Sequence, residues 1–165
     1  VHQVGTRLRH FLVAPVYRSP VADAVADLLA RSGHAPPHVV HGFGTWSATA
    51  VAACASLRAR GIPAVPVGSA YTTVAHEWRA VIDGLGLRGD PRANLWFRVW
   101  HPWVRTAVAA TERYGYRHAR VMLVNYESVG ALLHAAHGPG AEIRRLPYAA
   151  PTAFRIRAEA PHPAL

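Results

Sequence analysis

The stretch HVVHGFGTWSATAVAACASLRARGIPAVPV, from His38 to Val67, decides how this chain is read. Pro37 to His41 is a short apolar run of strand character that ends at a glycine pair, Gly42 and Gly44. Trp46 to Arg60 is alanine-rich and helical in pattern, and Gly61 and Pro63 close it. Ala64 to Val67 is a second apolar run. Strand, helix and strand at this spacing form a parallel βαβ unit.

Working outward, Arg9 to Val16 reads as a strand. Ser19-Pro20 then opens a helix with Asp23 in its first turn, Arg31 in its last and Gly33 just beyond. Its expected buried face is Val21, Val25, Leu28 and Leu29. Downstream, Val74, Trp78, Val81, Ile82 and Leu85 recur at helical spacing. A helix from Asp90-Pro91 to about Tyr114 is expected to kink or break at Pro102. Ala119 to Asn125 is a strand, Glu127 to His137 a short helix and Glu142 to Leu146 a last strand. These alternating elements predict an α/β fold: a Rossmann-like open, mostly parallel sheet with helices on both faces.

The chain has 165 residues, half of them apolar, which suits one domain with a real core and excludes a disordered chain. No apolar stretch is long enough to span a membrane. The single cysteine, Cys54, lies among alanines and reads as a small core residue, so disulfide frameworks and CxxC sites are excluded. The basic residues are all arginine, and the net charge of +9 favours anionic partners without choosing among them. The histidines complete no metal-ligand set with a carboxylate or cysteine, so no metal site is assigned.

In open parallel sheets ligands bind beyond the carboxyl ends of the strands. His41, Gly42 and Gly44 lie at such an end. The glycines let backbone come close to a ligand, and the helix starting near Thr45 to Ser47 aims free N–H groups there. A hydroxyl-rich or anionic ligand fits this corner. A second reading is also open, in which the glycines only turn the chain and His41 is a core or turn histidine. The corner is not the full GxGxxG pattern, because Ser47 stands at its third glycine position.

Two ordered sets of motifs carry a family resemblance over roughly residues 20 to 155. "HVVHGF" and "GIPAV" come first, and "ARVMLVNYESVGALL" and "EIRRLPYAAPTAF" follow. In this order they resemble the N-terminal, acceptor-side domain of GT-B fold retaining glycosyltransferases of the group 1 (family 4) set. The chain departs from that pattern at Asn125-Tyr126-Glu127, at Tyr148-Ala149-Ala150-Pro151 and at Gly68-Ser69-Ala70-Tyr71. No glutamate has another eight positions later, so the family's E-x₇-E donor domain is absent, and its first strand with its Gly-rich loop is missing too. The chain starts at Val1, and a fragment is the expectation: residues 1–154 a partial N-terminal domain, and 155–165 a tail or the start of an interdomain linker.

The resemblance implies the acceptor-binding half of an enzyme that moves a sugar from a nucleotide-sugar to a carbohydrate or lipid-linked acceptor. The fragment itself would bind no cofactor and would be inactive alone. A UDP- or GDP-sugar is expected for the full-length enzyme, and the partner is a C-terminal donor-binding domain of the same protein. His41, Gly42, Gly44, Tyr71, His76 and Glu127 are the candidate acceptor-binding residues, and no catalytic residue is assigned. Glu127 has a second reading, as a helix-start carboxylate that favours the dipole. The location implied is cytoplasmic, either free or peripheral on the inner face of the membrane.

The segment NLWFRVWHPWVR, Asn94 to Arg105, fits this picture in one of its two readings. Trp96, Arg98, Trp100, Trp103 and Arg105 would form an interfacial element on an anionic membrane. In the other reading the segment is a buried, kinked helix. Two further functions stand as alternatives. A basic non-enzymatic module binding nucleic acid or another anionic partner suits the charge, but the arginines are scattered and no nucleic-acid motif appears, which makes nucleic acid the weaker partner. A dinucleotide enzyme lacks both the glycine fingerprint and an acidic residue for a ribose.

Overall fold

The structure is a computed structural model that describes residues 10–84 and 95–146. Helix α1 (His10–Arg31) leads into strand β1 (His38–Phe43), a 3₁₀ turn (Gly44–Trp46), α2 (Ser47–Ala59) and β2 (Ala64–Ala70). Next come α3 (Val74–Gly84), α4 (Leu95–Trp103), a π-helical segment (Val104–Val108) and α5 (Ala109–His118). Strand β3 (Val121–Val124), α6 (Glu127–His137) and β4 (Glu142–Arg145) follow. The strands pair in parallel in the order β1-β2-β3-β4, with His41 beside Val67, Val67 beside Val121 and Val121 beside Glu142. The chain is therefore an α/β protein with an open parallel sheet, as its βαβ spacing implies.

The strand order also fixes where the helices go. Each new strand joins the same edge, and right-handed connections then place every linking helix on one side. The burial pattern agrees. Val40 packs with Ala22 and Ala26 of α1 and with Ala50, Ala53, Cys54 and Leu57 of α2. Met122 and Val124 pack with Tyr116 of α5 and with Val129 and Leu133 of α6. Between those side chains along β1 lie Val39, 65% exposed, and Phe43, 48% exposed. Helices were expected on both faces, but the described ones cover the face of Val40 and Met122. A second layer needs a strand order that reverses, and the described sheet has none.

The segment read as a strand from Arg9 to Val16 is helical from His10, inside α1. A short apolar run does not separate strand from buried helix by itself, and tertiary contacts decide here. Leu12 and Ala14 are buried, the Trp103 Nε1–H donates to the Leu12 carbonyl at 2.8 Å, and the Arg18 guanidinium lies over the Tyr114 ring. The inward face is set by Ala22 and Ala26, while Leu28 is exposed. Small residues there let α1 lie close against the alanine-rich α2.

The break at Pro102 is present. Proline leaves the helical ladder without one N–H, and the chain passes into a π-helical turn two residues later. Thr106 Oγ1 donates to the Pro102 carbonyl at 2.7 Å. The expected tail at 155–165, like Leu85 and the Asp90-Pro91 cap, lies outside the described residues.

Candidate functional site

The carboxyl ends of β1 and β2 open onto a cavity of about 590 Å³. Beyond Phe43 the chain turns at Gly44, whose φ of +54° suits glycine, and Thr45 and Trp46 form the near wall. Beyond Ala70, Tyr71 and Thr72 form the far wall, and α3 then starts. Thr73 caps that helix, its Oγ1 accepting the His76 N–H at 3.3 Å. Glu112 reaches the cavity from α5, and its Oε1 accepts the Val74 N–H at 2.8 Å. The first turn of α3 is thus satisfied by a hydroxyl and a carboxylate.

The polar groups of the cavity are arranged for hydrogen bonding. Thr45 is 2% exposed, yet its Oγ1 has no partner among the described residues. Thr72 Oγ1 has none either. Each hydroxyl can donate and accept, and burial without a partner costs about 1–3 kcal/mol. Glu112 adds acceptor capacity at the back. Its Oε2 pairs with His137 Nε2 at 2.7 Å, which fixes the carboxylate. At the mouth the Phe43 and Tyr71 rings lean together, with centroids 4.7 Å apart, and both are exposed.

Of the residues singled out in the sequence, Gly44 and Tyr71 line this cavity. His41 lies on the sheet face that the described helices leave uncovered, and its Nε2 is 3.0 Å from Ser69 Oγ. Gly42 meets its own chain: a Cβ there would overlap the Trp46 carbonyl oxygen and fall 2.6 Å from Ser47 Cα. Ser47 Oγ also donates to the Gly42 carbonyl at 3.1 Å, so this glycine lets α2 return tightly onto the strand end. His76 is exposed on α3. Glu127 lies at a separate depression with His134 and Arg145, beyond the ends of β3 and β4.

Thr45, Thr72 and Glu112 were missed in the sequence. The two threonines carried a weak signal, since each stands just past the apolar stretch of a strand. Glu112 carried none, because it comes from a helix remote in sequence and is aimed by packing.

The aromatic segment is largely turned inward. Trp100 and Trp103 pack against a cluster of Leu12, Val74, Trp78, Val104 and Val108. Arg98 and Arg105 are exposed, and the side chain of Trp96 lies outside those described. Among the described residues no helix is long and apolar enough to cross a membrane, and no three His, Cys, Asp or Glu side chains converge as metal ligands. Comparison of the chain with protein-family models, with characterised proteins and with solved structures finds no match.

Proposed function

We propose that this chain is the acceptor-binding half of a retaining glycosyltransferase, and that the rim cavity receives the hydroxylated acceptor. One observation carries the reading: Thr45 and Thr72, whose hydroxyls are buried and have no partner among the described residues, line one cavity with a fixed carboxylate at the carboxyl rim of a parallel sheet. Such a set favours a neutral polyol over an anion. Thr45 and Thr72 would exchange hydrogen bonds with sugar hydroxyls, Glu112 would accept from another, and its negative charge would repel a phosphate. The exposed Phe43 and Tyr71 rings would offer an apolar ledge to a sugar ring. Orientation of the acceptor is what this half would contribute to transfer. The donor, a UDP- or GDP-sugar, would be held by a second domain.

The test uses the protein expressed from its complete coding sequence, with UDP-, GDP- and ADP-sugars and a panel of glycan and lipid-linked acceptors. Thr45→Val with Thr72→Val should lower transfer at least ~10-fold, chiefly through acceptor KM, while donor hydrolysis is unchanged. No sugar release or transfer from any donor overturns the reading.

A further inference from the structure

A second cleft, of about 450 Å³, lies between α3 and the π-helical segment. Ala75, Trp78, Arg79 and Ile82 line it from α3, at the spacing of one helix face. Val104, Arg105 and Ala109 line it from the other side, and Val104 and Ala109 are five residues apart, the span of a π-helical hydrogen bond. That turn follows Pro102 and brings Arg105 into the lining of the cleft that Arg79 lines from α3.

The chemistry of this cleft differs from that of the rim cavity. No acidic side chain lines it, and among the described residues neither Arg79 nor Arg105 has a carboxylate at ion-pair distance. The Trp78 Nε1–H donates to His101 Nδ1 at 3.0 Å. An indole nitrogen is a donor only, so Nδ1 is the acceptor in this bond. Besides the Trp78 indole, the charged or hydrogen-bonding side chains lining the cleft are two guanidinium groups and this imidazole. Its walls are apolar, formed by Trp78, Ile82, Val104 and Ala109.

We infer that this cleft binds a phosphate monoester carried on an apolar body, the phosphate between Arg79 and Arg105 and the body along Trp78 and Ile82. Two planar forks match a compact dianion, and guanidinium is the side chain suited to that pairing. The inference stands on residues other than those of the rim cavity and does not need the glycosyl-transfer reading. The phosphate could belong to a soluble amphiphile or to a lipid headgroup.

The test titrates the chain with octyl phosphate below its micelle concentration, followed by tryptophan fluorescence and calorimetry. Octanol and inorganic phosphate are the controls. Saturable binding at least ~10-fold tighter than either control is expected, because octanol lacks the charge-assisted contacts and inorganic phosphate lacks the apolar body. Arg79→Gln with Arg105→Gln should lose at least ~10-fold with an unchanged melting temperature, and Thr45→Val with Thr72→Val should lose nothing. In a second arm, sedimentation with phosphatidic acid vesicles but not phosphatidylcholine vesicles, lost in the arginine variant, makes a membrane lipid the source. Binding of the soluble ester alone makes it a free amphiphile. Equal binding by the arginine variant, octyl phosphate no tighter than the controls, or no binding in either arm overturns the site.

Discussion

Glu112 Oε2 and His137 Nε2 meet at 2.7 Å in the interior, 25 residues apart in the chain. The same carboxylate accepts the first N–H of α3, and the Arg117 guanidinium donates to the His137 carbonyl at 2.9 Å. One acidic side chain therefore clasps the start of α3 and the end of α6 onto α5. It also stands at the back of the rim cavity, so stability and site geometry depend on the same group.

Glu112→Ala leaves the Val74 N–H and the His137 ring without their partner. A loss of about 3 kcal/mol is expected in urea denaturation. Glu112→Gln keeps the shape and one acceptor and should lose less than half of that. A cost below about 0.5 kcal/mol for the alanine variant would show that the clasp holds nothing.

The two glycines of the corner should respond differently. Gly42→Ala puts a methyl group into the Ser47 backbone, where no flexible side chain can yield, and should cost about 2–3 kcal/mol. At Gly44 nothing lies within 4 Å of an added Cβ, and only the positive φ opposes substitution. Gly44→Ala should therefore cost about 1 kcal/mol. Thermal unfolding of both variants checks the order, and equal costs would contradict the packing described.

Adjacent valines test which face of β1 is covered. Val40→Thr buries a hydroxyl within the α1–α2 core and should cost about 1–3 kcal/mol. Val39→Thr, on the exposed face, should stay within about 0.5 kcal/mol of the parent. A reversed order in denaturant midpoints would place the helical layer on the other side of the sheet.

Alkaline pH should weaken the fold. Burial pushes the Cys54 thiol above its ordinary value of 9.0 and the Tyr116 hydroxyl above 10.0. In both cases the folded state holds its proton longer than the unfolded chain does. The contribution is fully present below pH 9, and it is lost as pH rises from there through the folded values. Denaturation midpoints from pH 7 to pH 10.5 should fall above pH 9, and Cys54→Ala should delay the onset. Native Cys54 should also resist an aromatic disulfide reagent until unfolding, because it is wholly buried.

Much of the architecture was legible. The strand–helix–strand unit around His38 to Val67, the helix at Glu127–His137 and the interruption after Pro102 follow from periodicity, caps and a missing N–H. Cys54 among alanines announced a small core residue, and it is wholly buried. The inward faces were less legible. On α6 Leu133 is buried while the neighbouring Leu132 is 39% exposed, and His137 fills the interior because Glu112 and Tyr116 are there to meet it.

Local pattern determined the parallel α/β class, the order of elements and the turn chemistry at Gly42 and Gly44, because strand period, helix period and backbone sterics are properties of neighbouring residues. The tertiary structure decided that His10 to Val16 is helical, that the described helices share one side of the sheet, and that Thr45, Thr72 and Glu112 line one cavity. Those outcomes depend on contacts between segments far apart in the chain: Trp103 on the Leu12 carbonyl, α1 on α2, Glu112 on Val74 and His137. A short apolar run or a single buried carboxylate takes its role from what packs against it.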